Sequence, residues 1–246
     1  MNSISKPRLL VFQHIDVEHP GIFREFLDQD AIEWRAVELD VGEPIPDLSD
    51  YDMLWVMGGP MDVWEEDEHP WLIAEKAAIR EAVVERNMPF LGVCLGHQLL
   101  AASLGGEVGP SSTPEIGVMS VSLTTEAAHC PVFRGMAGDL RCLQWHSAEV
   151  TRTPPGARVL ASSPACRVQA MQVGDRAFGI QYHVELTPTT VADWSAIPEY
   201  AEALDRTLGA GGLARFQRDA DEHMSAFNAS SRALYDNFMA FSARCR

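Results

Sequence analysis

Basic side chains are scarce in this sequence: 19 Lys and Arg stand against 35 Asp and Glu, a formal net charge of −16. A chain so acidic is poorly suited to nucleic acid or an anionic membrane surface, where affinity comes from neutralising phosphates. It does not exclude an anionic small ligand, because a local site can oppose the global charge. No apolar run reaches the ~20 residues needed to cross a bilayer, and the opening "MNSISKPRLLVFQHI" lacks the long apolar stretch of a secretory leader. Cysteines are few and odd in number, five without framework spacing, which fits a reducing compartment rather than a disulfide scaffold. There is no glycine-rich phosphate-binding loop, internal repeat, low-complexity tract or convincing interdomain linker. These absences leave a cytoplasmic globular protein as the expectation, with neither nucleic acid nor membrane as a partner.

What is present is ample for a core: 246 residues, 46% of them apolar and 22% charged, enough for one large α/β domain. "RLLVFQH" (8–14) and "YDMLWVMGGP" (51–60) read as buried parallel strands. Between them lie a helical "GIFREFLDQ" and a further strand "WRAVELD". The segment 69–89 carries Trp71, Ala74, Ala78, Ala82 and Val83 near helical spacing, with Asn87 and Pro89 as a stop. A strand "FLGVC" then leads into a short helix closing at Gly105 and Gly106, where glycine suits a left-handed cap. This βαβαβ order predicts a mostly parallel sheet with helices on both faces. The short strands "IGVMSVSLTT", "DLRCLQWH", "ARVLASS", "CRVQAMQVG" and "AFGIQYHVE" predict antiparallel additions, and from about Thr187 the pattern is helical.

The stretch "PFLGVCLGHQLLAASLGG" (89–106) ends an apolar strand in Gly-x-Cys-x-Gly and enters a helix. A strand, a strained turn and a helix form the device that holds a hydrolase nucleophile, here with Cys in place of Ser. Gly92 and Gly96 would leave room where backbones approach closely. Cys94 would sit at a helix N-terminus that favours thiolate, beside the Leu95 N–H. A packing cysteine explains the stretch about as well, since free Cys is commonly buried. A thiol nucleophile needs a base and an orienter. "FGIQYHVELTP" supplies His183 and Glu185, two apart and so on one face of a strand, although His-x-Glu taken alone is more often a solvated strand end. Gly58 and Gly59 follow another strand and expose backbone N–H at the sheet's carboxyl edge, where open α/β folds bind ligands. An ordinary turn is the plain alternative there.

Taken together, "GGPMDV", "PFLGVCLGHQLLAASLGGEV", "EIGV", "LQWHS" and "FGIQYHVE" resemble, in the right order, the class I (triad-type) glutamine amidotransferase family. The similarity is greatest to stand-alone members that look like the glutaminase domain of GMP synthase, and it covers about residues 9–185. It implies a flavodoxin-like α/β architecture over residues 1–190, with 191–246 as a helical extension packed on the same domain. It implies Cys94 as nucleophile, His183 as base and then acid, and Glu185 as its orienter. Gly59 and Leu95 would supply the oxyanion-hole N–H groups, and Gln98, Trp145, His146 and Ser147 would contact substrate. The implied reaction releases ammonia and glutamate from glutamine through a γ-glutamyl thioester, the ammonia passing to a synthase on another chain or, where there is no acceptor, the reaction ending as plain hydrolysis. Two alternatives remain: a γ-glutamyl peptidase with the same triad, and an inactive binding or regulatory subunit.

The sequence departs from the family pattern twice. His183-Val184-Glu185 replaces the usual His-Pro-Glu, a change expected to loosen the turn without removing a chemical role. Trp145-His146-Ser147-Ala148 replaces Trp-His-Gly-Asp near the substrate. No cofactor and no metal is expected: His14 and His19, near Asp16 and Glu18, read as a surface loop rather than a closed ligand set. Cys130, Cys142, Cys166 and Cys245 read as packing or surface residues. The acidic run 65–70 reads as a helix-start surface, and the stripe of Leu234, Phe238 and Phe241 as buried on the domain.

Overall fold

The computed structural model describes residues 6–136 and 138–244, so Cys245 lies outside the described residues. Among these residues nine strands form one sheet: β1 (Arg8–Gln13), β2 (Glu33–Glu38), β3 (Met53–Val56), β4 (Phe90–Val93), β5 (Glu107–Leu123), β6 (Asp139–Arg152), β7 (Arg158–Ser162), β8 (Ala170–Val173) and β9 (Ala177–Ile180). Their spatial order is β2-β1-β3-β4-β9-β8-β7-β5-β6. The first five in that order are parallel, and the rest are joined antiparallel. The flavodoxin-like order puts a topological switch point between β1 and β3, so the ligand crevice is expected beyond the carboxyl ends of these strands.

Alternation along β1 builds the two faces. Leu9 and Val11 enter one core with Phe23, Trp55, Tyr235 and Phe238. Leu10 and Phe12 enter the other with Leu72, Ile79, Leu99 and Leu100. The first face carries α1 (Phe23–Gln29) and α6 (Gly212–Ala243), the second α2 (Trp71–Arg80) and α3 (Leu95–Ser103). A third cluster, with Trp145, Trp194, Tyr200, Phe216 and Phe227, gathers α4 (Thr190–Ser195) and α5 (Pro198–Leu208) over the carboxyl edge.

The antiparallel additions exist, but β9 is not among them: it pairs β4 in parallel and completes the central sheet. It also stops at Ile180, short of His183. The inner face of α2 differs from the predicted stripe. Leu72, Glu75, Ala78 and Ile79 point inward while Ala74 is exposed, because a buried acid takes the place of an apolar residue. The helix continues into a π-helical turn, Glu81–Glu85, before Asn87 adopts positive φ. Gly105, with φ +86°, closes α3. Cys130, Cys142 and Cys166 are buried, and Leu234 and Phe238 pack in the core with Phe241 half-buried beside them.

Candidate active site

The turn after β4 is built by exclusion of side chains. A Cβ on Gly92 would lie 2.4 Å from the Gly96 carbonyl oxygen, and one on Gly96 would lie 2.0 Å from the Val56 carbonyl. Only glycine lets α3 start this close to β3 and β4. Between them Cys94 takes φ +52°, a conformation L-residues with a Cβ rarely adopt. Its N–H donates to the Ile180 carbonyl at 2.8 Å, while Gly96 N–H reaches Met57 O at 3.1 Å. The strain is therefore held from both neighbouring strands, and Cys94 caps α3 with its sulfur free of the helix. Three residues later His97 is fully buried, and its Nε2–H donates to Val168 O at 3.1 Å. Burial pulls its pKa down to about 4, so the ring stays neutral and ties α3 to the sheet.

Beyond β9 the chain makes one isolated bridge to β6, His183 with Leu143. There the His183 Nδ1–H donates to Glu185 Oε1 at 2.6 Å, and the same imidazole interacts with the Cys94 side chain. Both side chains are buried. Burial lowers the His183 pKa, but the Glu185 carboxylate and the hydrogen bonds to Cys94 and Glu185 outweigh it, leaving the imidazole well above its ordinary value. Val184 is more than a substitute for proline: its N–H donates to Glu185 Oε2 at 2.9 Å, a bond proline cannot make. The expected loosening is thus opposed by a bond that fixes the carboxylate. Ser231 of α6 donates to the Val184 carbonyl, and Ile22 N–H to the Glu185 carbonyl at 2.8 Å.

A cleft of about 290 Å³ opens beside the sulfur, lined by Gly59, Leu95, Gln98, Trp145, His146 and Ser147 together with Cys94. Every residue singled out in the sequence for oxyanion or substrate contact therefore borders one space. Leu95 is the first residue of α3, where the N–H has no intrahelical acceptor. Gln98 is partly committed. Its amide nitrogen donates to Ala148 O at 3.1 Å and to Gln181 Oε1 at 3.0 Å, and Gln181 Nε2 in turn points at the Cys94 sulfur, 3.6 Å away. His146 Nε2 stands 3.3 Å from Glu115 of the "EIGV" segment, whose carboxylate also accepts from Gln169 and Ser163.

Several site residues carry no signal in the sequence. The Trp194 ring stands edge-on to His183 at 4.6 Å and Tyr200 borders the cleft, as does Arg206; all come from the C-terminal helices. Tyr200 donates to Glu18. Burial raises the Glu18 pKa, partly offset by His183 and Tyr200. The reading of His14 and Glu18 as surface is overturned: both are buried, because Glu75 and Tyr200 satisfy them from distant elements. His19 is half-buried and contacts Arg24 at 3.1 Å. The described residues contain no cluster of three or more His, Cys, Asp or Glu arranged to hold a metal, and no helix long and apolar enough to cross a membrane.

Residues 28–193 match the family model for glutamine amidotransferase class-I. The chain is 36% identical over 156 residues to a glutamine-hydrolysing GMP synthase subunit of Sulfolobus acidocaldarius, covering 63% of this chain and 78% of that one. It is 33% identical over 184 residues to the glutamine amidotransferase-like protein YfeJ of Salmonella typhimurium, covering 72% and 75%. A crystal structure of a glutamine amidotransferase from Thermotoga maritima superposes with a TM-score of 0.84 at 25% identity, over 95% of this chain and 98% of that one. Another from Methylobacillus flagellatus gives 0.82 at 30% identity, over 96% and 95%. The chain belongs to the class I glutamine amidotransferase family.

Proposed function

We propose that the chain hydrolyses the side-chain amide of glutamine, with Cys94 as nucleophile, His183 as proton carrier and Glu185 as the group that orients it. The observation that carries this reading is a buried imidazole held on Nδ1 by a carboxylate at 2.6 Å and interacting with the Cys94 side chain. In the first half-reaction the sulfur attacks the amide carbon and its proton resides on His183. The N–H groups of Gly59 and Leu95 hold the oxyanion, each such donor being worth about 3 kcal/mol of barrier. The imidazolium then protonates the departing nitrogen, ammonia leaves, and a γ-glutamyl thioester remains on Cys94. Water gives its proton to His183 and attacks the thioester, releasing glutamate and the thiol. Residues 145–147 meet the amino-acid end of the substrate, and Gln98 orders that wall through Ala148 and Gln181.

Residues 1–190 form the amidotransferase domain in this reading. The helices of 191–246 belong to the same body and roof its cleft, since Tyr200 and Arg206 of α5 border it. The ammonia is passed to a synthase on another chain, as the relation to the glutamine-hydrolysing GMP synthase of Sulfolobus acidocaldarius suggests. Steady-state ammonia release from glutamine by the purified protein, beside the Cys94→Ala variant, tests this. The expected result is turnover that the variant loses. Turnover of γ-glutamyl peptides without turnover of glutamine would replace the proposal with peptidase activity.

A further inference from the structure

A buried ion pair lies outside the triad, directly beneath the loop that the reading above uses for the oxyanion. The parallel register of β1 and β3 pairs Phe12 with Val56, so two residues on, where both strands have ended, His14 faces Gly58. His14 and Glu75 are both fully buried. The His14 Nδ1 lies 2.7 Å from the Gly58 carbonyl oxygen, and its Nε2 lies 2.9 Å from Glu75 Oε1. Trp71, one turn before Glu75 on α2, stacks on the ring at 5.4 Å with an 18° tilt. A carbonyl can only accept, so Nδ1 carries the proton that bonds Gly58, while Nε2 faces the Glu75 carboxyl group.

We propose that His14, held by Glu75, is a positioning residue that fixes the peptide linking Gly58 to Gly59 so that the Gly59 N–H faces the sulfur. The carbonyl of Gly58 and the N–H of Gly59 belong to one planar trans peptide and point in opposite directions. Anchoring the oxygen beneath the loop therefore aims the N–H into the cleft above it. Two adjacent glycines need such an anchor, because their backbone torsions are otherwise nearly unrestrained. A side chain at either position would press on its neighbours: a Cβ on Gly58 would lie 2.5 Å from Glu18 Oε2, and one on Gly59 2.7 Å from Met61 Sδ, 2.9 Å from Leu95 Cδ2 and 3.0 Å from His14 Cβ. A hydrogen bond to the carbonyl also polarises the same peptide and strengthens its N–H as a donor. Packing alone does not call for this pair, since well-packed apolar residues commonly replace a buried ion pair at no loss of stability.

The inference rests on the proposed oxyanion role of Gly59, and its test separates the two. His14→Leu, His14→Asn and the wild type are compared in steady-state glutamine hydrolysis, in alkylation of Cys94 by iodoacetamide, and by crystallography. Alkylation needs the thiol and the fold but no oxyanion hole. The expected result for His14→Leu is a fall in kcat of about 10- to 100-fold, with KM and the alkylation rate within about two-fold of wild type. Its crystal structure should show the peptide after Gly58 rotated. His14→Asn, whose amide nitrogen can stand where Nδ1 stood, should recover most of kcat and the original peptide orientation. A His14→Leu protein with unchanged kcat, with its loss in KM or in alkylation, or with the peptide unmoved, would overturn the assignment. So would a His14→Asn variant no better than His14→Leu. Should His14→Leu fail to fold, His14→Asn and Glu75→Gln carry the same readouts, the first expected near wild type and the second intermediate in kcat with KM unchanged. Absence of hydrolysis in the wild type would defeat the glutaminase reading, and the crystallographic arm would still decide whether His14 sets the peptide.

Discussion

At the scale of single residues, His183 is set by two opposing effects. Burial favours the neutral ring, and the carboxylate of Glu185 with the bonds to Cys94 and Glu185 favours the charged one; the second group wins. Glu185→Gln keeps the shape and removes the charge, so the ring loses both its orienting acceptor and its counter-ion. The expected outcome is a kcat lowered about 10²- to 10⁴-fold with little change in KM, read by steady-state kinetics on glutamine. Asp62, at the rim of the cleft, shows the opposite case of a carboxylate without compensation. Burial, then the neighbouring Glu65, raises its pKa from 3.8 to about 6. The folded value lies above the unfolded one, so folding favours the protonated form. The cost of the charged form is absent below the unfolded value and fully present above the folded one. Asp62→Asn should therefore raise Tm at about pH 8 and leave it unchanged at about pH 3, with a gain of ~1 kcal/mol or less because the group is half-exposed and screened. Thermal melts at the two pH values check this.

At the scale of elements, the turn between β4 and α3 depends on two glycines in a way few other positions do. Gly96→Ala would drive a Cβ to 2.0 Å from a backbone carbonyl of β3, and backbone cannot step aside as a side chain can. The expected cost is about 3 kcal/mol in urea unfolding. Gly138→Ala, with nothing within 4 Å of the added carbon, should stay within about 0.5 kcal/mol. This turn was legible in advance because its residue types follow from steric demand at adjacent positions. The inner face of α2 was not. Its alanines fit either face, and Glu75 reads as solvent-facing until its partner is known. The end of β9 was obscured for a similar reason: the apolar run continues past Ile180, and only the bridge from His183 to Leu143 shows that the chain has left the strand.

At the scale of the whole molecule, the parallel sheet gathers the site. Gly59 follows β3, Cys94 follows β4, His183 follows β9 and His14 follows β1, so residues far apart in sequence share one carboxyl edge. That convergence could be read from motifs because each motif sits just past an apolar strand. The roof could not, because Trp194 and Tyr200 lie in ordinary helical sequence and gain their place only when α4 and α5 fold back over the edge. His14 and Glu18 looked solvated for want of visible partners, which stand 61 and 182 residues away. The claim that joins these scales is that catalysis passes through a covalent bond to the sulfur at the centre of that edge. Quenching the wild-type protein in acid during turnover of glutamine, followed by peptide mass spectrometry, tests it most directly. The account predicts a γ-glutamyl adduct on the peptide bearing Cys94, with ammonia and glutamate released in equal amounts. Ammonia release with that peptide unmodified, or with the adduct on Cys130, Cys142 or Cys166 instead, would contradict it.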